Sequence, residues 1–227
     1  MCTEQPIVEN LGLMPYGQAL DLQLKYYNLL HDFKKNPEGE IPAEHILLVE
    51  HPHVYTLGKH GHQENMLVSM DYLRQRGIEC VHIGRGGDIT YHGPGQLVAY
   101  PILDLERHRL GVKSYIDILE EAVIRLIALY GVRGERVDGA TGVWIGKRTP
   151  QERKICAIGV KCGRFVSMHG LALNVNTDLS YFGAINPCGF VDKGVTSLAK
   201  EIGKEVDMAD VKSKFTEIIL DLLSGRN

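Results

Sequence analysis

Three stretches of the chain repeat apolar side chains at helical spacing. Leu22, Tyr26, Leu29, Leu30 and Phe33 lie at i, i+4, i+7, i+8 and i+11. They predict an amphipathic helix over 17–35, ended by the turn-forming stretch NPEGEIP at 36–42. Ile116, Leu119, Val123, Leu126, Ile127 and Tyr130 make one face of a second helix. Ser114, with Asp117 three residues on, predicts its capping-box start, and Gly131 its left-handed stop. Val211, Phe215, Ile218, Ile219 and Leu222 predict a last helix over about 208–223. Between the helices the pattern changes. HILLVE (45–50), bounded by Pro42 and Pro52, has the length and composition of a buried strand. GVWIG (142–146) and KICAIGV (154–160), joined by a polar loop at 147–153, predict a hairpin. Cys162-Gly163-Arg164 predicts a further turn into FVSMHGLALNV (165–175). Helices bracketing hairpin-linked strands predict an α+β fold. The expected form is a single domain over 1–227 with a mixed, largely antiparallel sheet flanked by helices.

Composition narrows the function classes more than the fold. With 227 residues, 44% apolar and 23% charged, the chain has the make-up of an ordinary globular protein, which excludes disordered and collagen-like architectures. No apolar run approaches the roughly 18 residues of a membrane helix, so no membrane partner is expected. Met1 to Asn10 carries Glu4 and Glu9 and no basic residue, unlike a secretory signal or an Arg-rich transit peptide. A net charge of −3 argues against nucleic acid as a partner. The five cysteines, Cys2, Cys80, Cys156, Cys162 and Cys188, are odd in number and scattered, with no C-x-x-C pair. That usage fits a reducing cytoplasm and leaves at least one thiol free.

Three features offer candidate chemistry. IGRGGDITYHGPGQLVAYP (83–101) holds five glycines, dense enough for backbone N–H groups to approach a ligand, with Arg85 and His92 as its polar contacts. It is neither a P-loop nor a dinucleotide fingerprint, and two Gly-rich turns flanking a short strand at Asp88–Tyr91 account for it equally well. His51 with His53, and His60 with His62, form two H-x-H pairs. No carboxylate or cysteine accompanies them at a metal spacing, so surface-loop histidines and no metal are the expectation. Cys188, in INPCGF (185–190), lies between Pro187 and Gly189 in a turn, where a thiol is reachable. By contrast Cys156 lies in an apolar strand, Cys80 follows Ile78 in a similar one, Cys2 is terminal and Cys162 falls on a hairpin turn.

The run RGGDITYHGPGQLVAYP (85–101) resembles the signature of the lipoyl(octanoyl) transferases. HPHVYTLGK (51–59), KICAIGV (154–160), HGLALNVN (169–176) and INPCG (185–189) resemble that family's other blocks, in the same order, so that the resemblance spans about 45–190. It implies an α+β fold similar to the biotin/lipoate protein ligase catalytic domain. It further implies transfer of an octanoyl group from acyl carrier protein to a lysine of lipoyl domains, those of the 2-oxo acid dehydrogenase complexes and of the glycine cleavage H protein, in lipoate biosynthesis. Carried over by motif, Cys188 is the acyl-carrying nucleophile and Lys154 its partner in lowering the thiol pKa. Arg85, Gly86, Gly87, Asp88, Ile89, Thr90, Tyr91 and His92, with Ala157, Ile158, Gly159, Gly170, Leu171 and Ala172, line the substrate site. No cofactor is implied.

The implied pair makes chemical sense. A free thiol with pKa near 8.5 is only a few per cent thiolate at pH 7. A neighbouring ammonium that lowers it by ~1.5–2 units is worth at most ~2 kcal/mol, so positioning and N–H donors must supply the rest. Between 140 and 175, Lys147, Arg148, Arg153, Lys154, Lys161 and Arg164 face one acid, Glu152, a local balance of six minus one, or +5. That suits an acidic partner. Asp88 adds an acid inside the Gly-rich block, where it opposes an anionic substrate group. The rival readings are an ATP-dependent lipoate/biotin-type ligase, a non-catalytic lipoyl-domain-binding module and a metal-dependent hydrolase.

Overall fold

The computed structural model describes residues 5–59, 63–186 and 194–225. Strand β1 (Ile7–Leu13) leads into helix α1 (Tyr16–Lys35), then β2 (His45–Glu50), β3 (Val54–Leu57), the short helix α2 (Met70–Gln75), β4 (Glu79–His82), β5 (Ile89–His92) and β6 (Gln96–Ile102). Helix α3 (Val112–Ala128) follows. After it come β7 (Glu135–Val137), β8 (Ala140–Ile145), the long β9 (Arg153–Gly163), β10 (Val166–Asn174), β11 (Gly194–Val195), α4 (Leu198–Ile202) and α5 (Met208–Leu223). The large sheet is ordered β1-β2-β6-β10-β9-β8-β7, with β11 beside β9, and a small sheet is ordered β4-β3-β5. Within the large sheet β1–β2 and β11–β9 are parallel and the other pairs antiparallel. The architecture is therefore α+β with a mixed, largely antiparallel sheet.

The large sheet is covered on both faces, which is why its central strands carry unbroken apolar runs. All nine residues of β10 and all seven of β6 are buried. On one face α3 and α5 pack Leu119, Val123, Leu126, Phe215 and Ile219 onto Leu97, Ala99, Leu171, Leu173, Ile155 and Cys156. On the other, Ala19, Tyr27 and Leu30 of α1 meet Leu47, Val98, Tyr100 and Met168. The small sheet has its own core of Tyr55, Leu57, Leu73, Ile89, Tyr91 and Ile185.

The structure corrects four local expectations. In α1 the buried residues are Tyr16, Ala19, Gln23, Tyr27 and Leu30, whereas Leu29 is exposed. The helix is rotated from the predicted stripe because a polar residue, Gln23, occupies the centre of its packed face and accepts the His169 backbone N–H at 3.1 Å. Helix α3 starts at Val112, so Ser114 is not its first cap. From inside the helix Ser114 Oγ accepts the Gly111 N–H at 3.0 Å. Cys162 lies in β9, opposite Ser167. The turn is Arg164-Phe165, whose φ of 49° and 61° give the two left-handed residues of a tight hairpin. His51 is fully buried, not a surface-loop residue. Gly131, with φ 78°, does close α3, and the Val132 N–H reaches back to Ile127 O at 3.1 Å.

Phe215 is fully buried between α5 and the sheet. Phe215→Ala is expected to cost about 3–5 kcal/mol, measured as a lower urea midpoint with an unchanged m-value.

Candidate active site

The site is a cavity between the two sheets, and its floor is made by β9 and β10. A bulge in the β8–β9 ladder places Trp144 opposite Lys154 and Val143 opposite Cys156, so Ile155 is the extra residue. Ile155 and Cys156 consequently both enter the core under α3 and α5, and the alternation restarts in the opposite phase. Trp144, Lys154, Ala157 and Gly159 then all line the cavity. Across the ladder Ala172 stands opposite Ala157 and Gly170 opposite Gly159. Two adjacent pairs of the smallest residues make a shallow trough in a sheet otherwise built of branched side chains. A Cβ at Gly170 would collide with the Ala99 carbonyl oxygen, and one at Gly159 would come within 3.2 Å of Arg85 Cδ. Ile89, Val98, Phe182 and Trp144 supply the apolar walls.

Lys154 lies at one end of this trough. Its Nζ is 4.6 Å from the centroid of the Trp144 ring, and Trp144 is itself fixed by its indole N–H donating to Ala140 O at 2.8 Å. Beside Lys154, β11 takes over the edge of β9 that β10 has left. Val195 pairs with Lys154, Gly194 pairs with Arg153, and the Thr196 N–H donates to Lys154 O at 2.9 Å. Gly194 and Val195 also line the cavity. Cys188 lies outside the described residues, as do His60 and His62.

The Gly-rich run wraps over the cavity as a loop and a strand. Arg85 is buried, donating from Nη2 to Thr56 O at 2.8 Å and to Thr56 Oγ1 at 2.9 Å. Gly87, with φ 88°, lets this loop turn tightly against Gly58. Asp88 accepts from Asn65 Nδ2 at 2.6 Å and from the Ile89 N–H at 2.7 Å. Gly86 is held by its N–H to Val160 O at 3.1 Å and is not among the lining residues. Tyr91 is not among them either. It is buried in the small sheet, its hydroxyl 2.7 Å from His53 Nδ1 and its ring stacked 4.9 Å from Tyr181. The other predicted substrate residues, Arg85, Gly87, Asp88, Ile89, Thr90, His92, Ala157, Ile158, Gly159, Gly170, Leu171 and Ala172, line one cavity together with Lys154.

The end far from Lys154 is polar. His51 lies 2.8 Å through Nδ1 from Met14 O and 2.9 Å through Nε2 from the Tyr100 hydroxyl. Tyr16 stacks on His92, whose Nδ1 is 2.7 Å from Gln96 Oε1. His169 takes φ 62° in mid-strand, and Pro101 accounts for it. Pairing of β10 with β6 stops at Leu171 opposite Ala99, since Pro101 has no N–H to offer, and resumes only where the Ser167 N–H meets Leu103 O at 2.9 Å. Burial pushes all three imidazoles down, His51 and His169 to about 4 and His92 to about 3, with the Arg85 guanidinium adding to the effect on His92 and His169. All three are neutral at pH 7. Among the described residues no group of three or more His, Cys, Asp or Glu is arranged to hold a metal. Tyr16, Tyr100, Trp144, His169 and Phe182 were missed as lining residues. Two of them carried a signal, His169 as the residue preceding Gly170 in the HGLALNVN block and Tyr100 as part of the RGGDITYHGPGQLVAYP run.

Comparison with known proteins identifies this arrangement. Residues 16–220 match the model of the lipoyl protein ligase A/B catalytic domain. A solved bi-partite lipoate protein ligase from Thermoplasma acidophilum superimposes with a TM-score of 0.69 at 17% identity, covering 98% of this chain and 91% of that one. Fold and match together define a catalytic domain of the lipoyl protein ligase A/B class. Octanoyltransferases of Bacteroides fragilis and Bacteroides thetaiotaomicron are more similar in sequence. They are 54% and 52% identical, covering 96% and 92% of this chain and 98% and 91% of those proteins. The chain belongs to the octanoyltransferase family and is an acyltransferase.

The buried histidines fix a pH dependence. Each has its folded pKa below the unfolded value near 6.5, so its stabilisation is present above pH 6.5 and is lost as pH falls toward 4. Three such groups give a slope of about 4 kcal/mol per pH unit. His108 works the other way. Burial lowers its pKa, but the hydrogen bond and charge of Glu44, 2.7 Å away, outweigh that and raise it. Its contribution is present below pH 6.5 and lost as pH rises through the raised value. Urea titrations from pH 4 to 9 are expected to show a maximum near about pH 7, with the acid limb the steeper.

Proposed function

We propose that this protein carries an octanoyl group from acyl carrier protein to a lysine of lipoyl domains, through a thioester on Cys188, in the lipoate biosynthesis of a reducing cytoplasm. The acceptor domains are those of 2-oxo acid dehydrogenase complexes and of the glycine cleavage H protein, and the whole described chain acts as one catalytic unit. The observation that carries this reading is the Ala157–Ala172 and Gly159–Gly170 trough running up to Lys154. Its width suits an unbranched chain, and about seven buried methylene or methyl groups at ~0.8 kcal/mol each are worth roughly 5–6 kcal/mol before entropy costs. Position also supports it. Cys188 precedes Gly194 by six residues (194 − 188), and Gly194 and Val195 pair beside Arg153 and Lys154.

In the first half-reaction the Cys188 thiolate attacks the carbonyl carbon of the carrier thioester, the C–S bond to the carrier breaks, and the leaving thiolate takes a proton from the Lys154 ammonium. In the second, the uncharged lipoyl-domain amine attacks the acyl-enzyme, the C–S bond to Cys188 breaks, and the amine proton passes to the now neutral Lys154, which restores the thiolate–ammonium pair. Thioester exchange is near isoenergetic and amide formation runs downhill, so no ATP is consumed. The rival is an ATP-dependent ligase of the same fold, which needs no thiol.

Mixing the protein with octanoyl-acyl carrier protein is expected to add the mass of one octanoyl group, removable by hydroxylamine and absent in Cys188→Ser. Full transfer activity in Cys188→Ala would favour the ligase. In Lys154→Met the acylation rate at pH 7 is expected to fall about 20-fold and to recover toward pH 9, as the thiol returns to its ordinary pKa. For docking, Lys147, Arg148, Lys161 and Arg164 remain the candidates. Arg153 is committed to Glu201, with Nε 2.7 Å from Oε1, and Lys154 lines the cavity. The double variant Lys147→Glu/Arg148→Glu is expected to raise KM for the carrier-bound donor several-fold at low salt, an effect that shrinks as salt is added.

A further inference from the structure

The cavity is longer than the chain it is proposed to hold. Lys154 lines one end and His169, paired with Val160, the other. Six residues of strand, one of them the bulged Ile155, advance the ladder by five steps of about 3.3 Å and place these ends roughly 17 Å apart along the sheet. An extended octanoyl group spans about 9 Å and a dodecanoyl group about 14 Å, from carbon–carbon bonds of about 1.5 Å. Length alone therefore does not exclude the longer chain.

What changes along the cavity is polarity. The trough floor, Ala157, Ala172, Gly159 and Gly170, carries no polar side chain, and Asp88 and Thr90 line the cavity from the overlying loop and β5. Tyr16, Arg85, His92 and His169 gather at the His169 end. His92 is already engaged with Gln96 and Arg85 with Thr56. Tyr16 and His169 are not engaged. Among the described residues neither the Tyr16 hydroxyl nor either ring nitrogen of His169 has a hydrogen-bond partner, and His169 Nδ1 is fully buried. The Gln23 side chain, which caps the His169 backbone N–H, also leaves its Nε2 buried without a partner. A fold that brings several unpaired polar atoms to one place, at the cost of a left-handed histidine, has built a polar surface and not a filled core.

We propose that this polar inner end, with Tyr16 and His169 as its determinants, sets acyl-chain length by desolvation and not by collision. An eight-carbon chain ends on the trough. A twelve-carbon chain presses methylene groups onto the Tyr16 hydroxyl and His169 Nε2 and cuts them off from water. Sites built to hydrogen-bond reject apolar replacements far more strongly than apolar pockets reject an extra methylene. This inference rests on the proposed acyl transfer with the carbonyl end at Lys154.

The test compares kcat/KM for octanoyl- and dodecanoyl-acyl carrier protein, with a lipoyl domain as acceptor. Wild type is expected to favour octanoyl by at least about tenfold. Tyr16→Phe keeps the volume and removes the polar atom, and is expected to narrow that ratio at least threefold. His169→Asn tolerates the left-handed backbone and stays polar while opening space, and is expected to leave the ratio within twofold. A ratio that Tyr16→Phe leaves within twofold, or that His169→Asn narrows as much as Tyr16→Phe does, overturns the proposal in favour of a steric limit. Wild type that transfers neither chain overturns the acyl-transfer reading itself, an outcome distinct from transfer without length discrimination.

Discussion

The pairing of β9 with β10 is the constraint from which the rest of the site follows. Eight consecutive pairs, from Val166–Gly163 to Leu173–Cys156, fix which side chains share a face. A slip of one residue by β9 would turn Ala157 and Gly159 toward the helix-covered face and take them away from Ala172 and Gly170, their partners in the trough. The bulge at Ile155 is the second half of the same device. Without it, Lys154 would share a face with Cys156 and Ile158, which pack toward α3 and α5. One extra residue thus lets the strand serve the core at both ends and still deliver a lysine to the cavity.

A second constraint concerns charge. Arg85 is a permanent cation held on Thr56, with two neutral imidazoles, His92 and His169, and two tyrosines, Tyr16 and Tyr100, around it. Burial raises the tyrosine pKa values, Tyr16 to about 12, as it lowers those of the histidines. Tyr16, Tyr100, His92 and His169 are therefore held in their uncharged forms at pH 7, which spares the interior further buried charge. The polar chain His92–Gln96–Asn174 continues from here, with Asn174 Nδ2 donating to Thr196 O at 3.0 Å. It ties the polar end to the segment whose strand β11 lies against Lys154.

Much of this was legible in the sequence because it rests on local pattern. The helical stripes of α3 and α5, the β8–β9 hairpin and the apolar run of β2 need no partner to be recognised. The residues named for the substrate site came from motif resemblance, and twelve of the fourteen line one cavity. The misses share a cause. Gln23 fell outside the predicted stripe because its role depends on a strand 146 positions away. His51 looked like a loop residue because Met14 O and Tyr100, its two partners, are distant in sequence. Strand β1 lacks a clear period and is set by parallel pairing to β2. Tyr91 sits in the matched motif, yet strand alternation turns it into the small sheet's core while His92 faces the cavity. A motif records which residues go together, and strand geometry decides which of them reach the ligand.

The fold by itself does not choose between thioester exchange and ATP-driven activation, and the reason lies in Lys154. An ammonium at the mouth of an apolar cavity stabilises whatever negative charge develops there, whether on a phosphate, an oxyanion or a sulfur. The same trough and cation therefore suit either chemistry. What differs is the supply of the nucleophile or the phosphoanhydride. No P-loop or other recognisable nucleotide motif occurs in the Gly-rich run, and the loop it forms is occupied in holding Arg85 and Asp88 against β3 and Asn65. The cavity and its lysine are thus a scaffold that both enzyme types can share, and the proposed thioester chemistry is what would set this protein apart from a ligase.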